Sequence, residues 1–167
     1  RYEQLFFLPL LGLSTATVSI VGQNYGAKQY QRVLETYKKG IKIGVIVLSL
    51  LGLIIFLTAD VAMNLFTDNA NVKQYGSDYL KISALMFPAF PFFFIGNATF
   101  QGLKRAIIVM YMAIMRFVLM PLILISIIFY QMGENYNLIF FSLAVMHWII
   151  GLSYYYYCNK KYKTILN

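Results

Sequence analysis

Charge is scarce in this 167-residue chain: 12% of its residues are charged, where soluble domains carry about 25%. Histidine and cysteine are scarcer still, with one of each, and only six residues are acidic. A single cysteine, Cys158, excludes an internal disulfide and a cysteine metal cluster. It stands at the end of the last apolar stretch and reads as an inert thiol at an interface. One histidine and one cysteine make a nitrogen–sulfur metal site implausible. The chain contains no G-x-x-x-x-G-K-[ST] phosphate loop, no G-x-S-x-G elbow and no H-E-x-x-H zinc pair. No catalytic residue, metal ligand or cofactor is therefore nominated, and an enzyme is not expected.

What is abundant is apolar sequence. Hydrophobic residues make up 60% of the chain. Residues 4–27, 43–59, 82–103, 117–133 and 135–159 contain no Asp, Glu, Lys or Arg. A bilayer core about 30 Å thick takes roughly 20 apolar residues in a helix. The chain has too little polar surface to bury five such segments as a soluble core. It reads as five spans, at about 5–25, 41–59, 79–103, 106–130 and 137–157. Position 1 is Arg and the first span begins almost at once, so the chain is expected to start inside a longer protein.

The charges alternate between the junctions. Lys28, Arg32, Lys38, Lys39 and Lys42 stand between spans one and two, Lys104 and Arg105 between three and four, and Lys160, Lys161 and Lys163 after span five. These are ten of the fourteen basic residues. The opposite side holds Glu3, Asp60, Asp68, Asp78 and Glu134, with Arg1, Lys73 and Lys81 as its bases. The positive-inside rule makes the basic side cytoplasmic, so span one runs inward and the C-terminus is cytoplasmic. The basic residues are split among loops without a stacking platform, so membrane lipid, not nucleic acid, is the expected partner. Tyr154 to Tyr157 precede the basic tail as an aromatic belt would, with one or two of them in the core. Segment 28–40 reads as a cytoplasmic helix and loop. Segment 60–78 reads as an exposed connection with a short amphipathic turn through Val61, Leu65 and Phe66.

Inside the spans, small residues Gly12, Ala16 and Ser19 recur at helical spacing, a face that admits a neighbouring helix. Span one ends in Gly22-Gln23-Asn24-Tyr25-Gly26-Ala27, and Gly26 is suited to the left-handed conformation that stops a helix. Pro88 and Pro91 interrupt span three, each removing a backbone donor. Such breaks shape packing in some proteins and mark moving, substrate-lining segments in transporters; both readings stay open. On an ideal wheel Ser83, Met86, Phe90, Phe94, Asn97 and Gln101 share one face, aromatic and methionine-rich with sparse amides. That face suits bulky amphiphiles and equally suits a helix contact. Arg116 lies about ten residues into span four, a costly position that marks a functional candidate. Snorkelling toward the headgroups is its alternative. Pro121 adds a further kink, and His147 is read first as a packing residue. No span carries a carboxylate at its middle, which argues against a coupling-ion site within the chain.

Gly12 through Arg32, with V-G-Q-N-Y-G-A followed by Arg, resembles the conserved segment of multidrug and toxic compound extrusion (MATE) transporters. Phe66-Thr67-Asp68 is similar too, as is Phe100-Gln101-Gly102-Leu103, where Lys104 replaces the family's following Gly. Arg116-x-x-x-x-Pro121 resembles the R…P pattern of the next helix. The resemblance implies an all-α transmembrane bundle whose five spans are helices eight to twelve of a twelve-helix fold, most of one six-helix lobe. Residues 1–167 would then form a partial C-terminal transmembrane lobe, with the N-terminal lobe of the same polypeptide as partner. Family members exchange organic cations and other amphiphilic drugs for protons or sodium by alternating access. Sodium-type members carry a carboxylate on the tenth helix, which falls near Phe90 here, so the resemblance favours protons and a carboxylate in the N-terminal lobe. It implies Met86, Phe90, Phe94, Asn97, Gln101 and Arg116 at the substrate cavity, kinks at Pro88, Pro91 and Pro121, and a cytoplasmic motif of Gly22, Gln23, Asn24 and Gly26. The expected location is the bacterial plasma membrane. A lipid-linked saccharide flippase of the same superfamily, or a non-transporting membrane scaffold, are the alternatives.

Overall fold

The computed structural model describes residues 2–119, 121–123, 125–126 and 136–166. The described chain is helical: α1 (Tyr2–Phe6), α2 (Leu8–Gly26), α3 (Tyr30–Phe66), α4 (Ala70–Ala84), α5 (Phe90–Gly102), α6 (Ala106–Ile114) and α7 (Tyr136–Leu166). A 3-10 turn, Phe87–Ala89, joins α4 to α5, and a π-helical turn, Met115–Leu119, extends α6. Among the described residues five helical stretches are long and apolar enough to cross a membrane: Glu3–Gly26, Tyr30–Phe66, Ala70–Gly102, Ala106–Ile123 and Leu138–Ile165. They correspond to the five expected spans; residues 120, 124 and 127–130 of expected span four, with Arg1 and Glu134, lie outside the described residues.

Two polar segments differ from expectation. Residues 30–40 are not a separate cytoplasmic element but the first turns of α3, which runs unbroken for 37 residues. Residues 60–66 continue the same helix, and the connection shrinks to residues 67–69. The remainder of the expected loop is α4, whose first amides are capped by Asn69 Oδ1, 3.0 Å from the Asn71 nitrogen and 3.3 Å from that of Val72. The Asn, Asp and Gly content that resembles a loop instead supplies this cap and a largely exposed helix face.

The bundle closes along α3. Its glycines sit where backbones meet: a Cβ on Gly44 would lie 2.8 Å from Pro91 Cβ, and one on Gly52 2.7 Å from the Ala84 carbonyl oxygen. Small residues at this seam let α3 reach the broken region between α4 and α5. The face of α2 read as the small-residue contact is not the packed one. Leu10, Thr17 and Val21 are buried, whereas Gly12, Ala16 and Ser19 are exposed.

The two ends of the bundle differ in chemistry. At one end the C-terminal turns of α2 and α5 approach, and Tyr37, Phe100 and Tyr162 rings from α3, α5 and α7 meet with centroids 4.8 and 4.7 Å apart. This end gathers the junctions bearing Lys28, Lys104 and Lys160. At the other end Ser83 donates to Glu3 Oε1 at 3.0 Å, and Lys81 pairs with Asp60 at 2.9 Å. Ser77 also donates to Asp60 there.

Candidate functional site

Arg116 defines the centre of the site. Burying a guanidinium in an apolar bundle demands compensation, and here aromatic rings supply it. Its Cζ stands 4.1 Å from the Phe93 ring centroid, 5.3 Å from Phe90, 5.5 Å from Phe117 and 5.9 Å from Phe94. The ring quadrupoles attract the cation over their faces. Phe93 lies eleven residues before Lys104, about 16 Å along a helix, so the guanidinium sits near mid-bilayer. Arg116 turns its side chain toward Phe90, Phe93 and Phe94 and not toward the basic end. It occupies the π-helical turn ahead of Pro121. Pro121 has no N–H for the carbonyl one turn back, and the ladder widens where that donor is missing.

Among the described residues Arg116 makes no hydrogen bond or ion pair. Four rings surround its Cζ, and its N–H fork has no acceptor among the described residues. A space of about 10 Å³ lies beside it, bounded by Phe90, Phe93, Arg116, His147 and Gly151. That leaves room for about one water, so the site is a wall of side chains, not an enclosed pocket.

Phe90 is the hub of this wall. Its ring meets Phe7 of α2's leading edge at 4.7 Å, His147 at 5.3 Å, Phe87 at 6.0 Å and Phe94 at 6.4 Å. His147 Nδ1 lies 2.9 Å from the Leu143 carbonyl, which accepts and places the proton on that nitrogen. Below Phe94, Asn97 Oδ1 accepts from the Tyr154 hydroxyl at 2.5 Å.

The face drawn on an ideal wheel is only partly kept. Phe90, Phe94 and Asn97 lie together on α5, but Met86 is buried before the 3-10 turn and Gln101 is exposed at the far end. Ser83 points instead to Glu3. The break at Pro88 and Pro91 changes the helical phase, so residues on either side no longer share one stripe. The wheel also passed over Phe93, the ring closest to Arg116. The signal for Phe93 is present as aromatics at 90, 93 and 94, one turn apart, opposite a lone arginine.

The broken helix is held by its neighbour. Ala89 N donates to the Met86 carbonyl in the 3-10 turn, which leaves the Leu85 carbonyl free of its usual helical partner. Trp148 Nε1 from α7 donates to it at 2.9 Å.

The Gly22–Gly26 motif packs at the basic end. A Cβ on Gly22 would meet only the Gly102 carbonyl oxygen, at 3.7 Å, and one on Gly102 would lie 2.7 Å from Val21. Gln23 donates to Ser19 Oγ at 3.4 Å and Asn24 to the Ile20 carbonyl at 2.8 Å. Gly26 stays helical; the left-handed residue that ends α2 is Lys28, with φ 59°. A turn closed two residues later by hydrogen bonds from Lys28 and Gln29 explains the shift. Cys158 is not interfacial: it is fully buried among Tyr37, Tyr154 and Tyr162, because α7 continues to Leu166 and carries it inside the bundle. Of the four consecutive tyrosines Tyr154 is buried and Tyr156 is 73% exposed. Among the described residues no group of three or more His, Cys, Asp or Glu is placed to hold a metal ion.

The architecture has close counterparts. The chain is 28% identical over 103 residues to the probable multidrug resistance protein NorM of Thermotoga maritima, covering 62% of this chain and 21% of that protein. It superposes with TM-score 0.90 on an inward-facing multidrug resistance MATE family transporter of the MOP superfamily, over 98% of this chain and 38% of that one at 19% identity. A MOP superfamily transporter from Pyrococcus furiosus Vc1 (DSM3638) matches with TM-score 0.93, over 100% of this chain and 38% of that one at 20% identity. The chain thus spans about a fifth of the curated relative and less than half of either solved transporter. The MatE family model matches residues 1–127; by this match, and by a five-span helical bundle of the same fold, the chain is an integral membrane protein belonging to the MatE family of transporters.

Proposed function

We propose that this chain is most of the C-terminal lobe of a secondary transporter that exports amphiphilic compounds by alternating access. The observation that carries the reading is the aromatic wall of Phe90, Phe93 and Phe94 around Arg116 at mid-membrane depth, mounted on a proline-broken helix. A cation held there at the cost of desolvation is expected to serve transport more than packing. Phe90, Phe94, Asn97 and Arg116 would face the cavity between the lobes, with Met86 and Gln101 at its margins.

In this reading the basic end, with the Gly22-Gln23-Asn24 motif, is cytoplasmic, and the C-terminus with it. The N-terminal lobe of the same polypeptide supplies the opposing cavity wall. It also supplies the carboxylate for coupling to protons, since no acid lies at the centre of a span in this chain. The break at Pro88 and Pro91 lets the two halves of the helix reorient as access alternates.

The test uses the full-length transporter in a host lacking its own efflux pumps. Pro91→Ala and Asn97→Ala should each change dye export and drug resistance at unchanged membrane abundance. Unchanged resistance and export in both variants would remove α5 from the substrate path.

A further inference from the structure

The aromatic faces that would attract an organic cation are already taken by the chain's own cation. Arg116 Cζ lies within 6 Å of four phenylalanine centroids, the nearest at 4.1 Å. A second cation at this wall would compete for the same ring faces and meet a like charge in a medium of low dielectric. What the rings do not satisfy is the hydrogen-bonding capacity of the Arg116 N–H groups. Five N–H donors in a planar fork have no acceptor among the described residues, and because Arg116 is only half-buried the fork is open to an acceptor from outside this chain.

We infer that Arg116 is the anion-recognition residue of the site: this wall takes amphiphiles that carry an acidic group, with the carboxylate on the guanidinium fork and the apolar body along Phe94 and the α5 face. The inference rests on the transporter reading above and specifies its substrate class. The fork matches a carboxylate in two parallel hydrogen bonds, which an ammonium on a flexible stem does not reproduce. A phospholipid phosphate is the wrong source of the anion, because the guanidinium is held level with Phe93, about 16 Å below the basic end. His147, with its Nδ1 proton committed to the Leu143 carbonyl, lines the same small space as Arg116. It adds no second positive charge while neutral.

The experiment compares two planar dyes of opposite charge, fluorescein and ethidium, in cells producing the full-length transporter. Wild type should lower fluorescein accumulation relative to an empty vector. Arg116→Gln should reduce fluorescein export more than tenfold and lower the ratio of fluorescein to ethidium export. Where R116Q does not reach the membrane, Arg116→Lys decides: charge without the fork should weaken fluorescein export selectively. Equal loss of both dyes in the variant that reaches the membrane would show that Arg116 pairs within the protein, and equal retention would show that it contacts neither; each overturns the inference. Wild type that exports ethidium but not fluorescein overturns it while leaving the transporter reading intact. Export of neither dye overturns both.

Discussion

Lys28 and Lys104 end two different helices with one and the same turn, at φ 59° and 58°. After α2, Lys28 N donates to the Tyr25 carbonyl and Gln29 N to that of Asn24; after α5, Lys104 N donates to Gln101 and Arg105 N to Phe100. Both are the paired hydrogen bonds of a Schellman closure, whose left-handed residue is usually glycine. A lysine there carries a steric cost of about 1–2 kcal/mol. Lys104→Gly and Lys28→Gly should therefore each raise the melting temperature of the full-length protein in detergent. A lower melting temperature in both would mean that the lysine charges matter more than the backbone strain.

Gly96 lies at a close approach of α5 and α7. A Cβ there would stand 2.7 Å from Tyr154 Cε1 and 3.0 Å from Cys158 Sγ. Tyr154 cannot swing away, since its hydroxyl is bonded to Asn97. Gly96→Ala should cost about 1–3 kcal/mol of stability by overpacking. Gly12→Ala, with nothing within 4 Å of the new carbon, is the matched control and should cost nothing. Similar melting curves for the two variants would contradict the packing described.

Two buried tyrosines should respond oppositely to loss of their hydroxyls. Tyr162 donates to the Gly96 carbonyl at 2.8 Å, so Tyr162→Phe should destabilise by about 1 kcal/mol. The Tyr37 hydroxyl is buried with no oxygen or nitrogen hydrogen-bond partner among the described residues, and only the weakly bonding Cys158 thiol stands beside it. Tyr37→Phe should be neutral or stabilising, because it removes a polar atom that gains little from burial. Thermal unfolding of both variants checks the pair; equal destabilisation would refute the difference.

Cys158 has no exposed surface. A maleimide should leave the native transporter unlabelled in membranes and modify it only after denaturation in dodecyl sulfate. Rapid labelling of native protein would place the thiol at an interface after all.

Spans and their ends were legible because bilayer thickness and the cost of charge in hydrocarbon act on each segment by itself. The alternation of Lys28–Lys42, Lys104–Arg105 and Lys160–Lys163 with the acids marks the same two ends that the contacts of Glu3 with Ser83 and Tyr37 with Tyr162 bring together. Polar residues misled where composition stood in for geometry. Residues 70–78 looked like a loop but form a helix once Asn69 caps it. The wheel for span three failed beyond its prolines, since one non-α turn rotates everything after it. Phe90, Phe94 and Asn97, all on one side of the break, kept their common face.

What the sequence determined alone is therefore the solvent of the protein, the number of its spans and the family motifs at their ends, all properties of local composition and spacing. Only the tertiary structure decided which aromatic rings surround Arg116, which carbonyl Trp148 takes, and that Cys158 and Tyr37 lie inside the bundle. Those depend on how α5 meets α6 and α7 after two prolines have shifted its phase. Hydropathy sums over a segment and is insensitive to rotation about the helix axis, whereas a ring stacked 4.1 Å from a guanidinium depends on that rotation entirely.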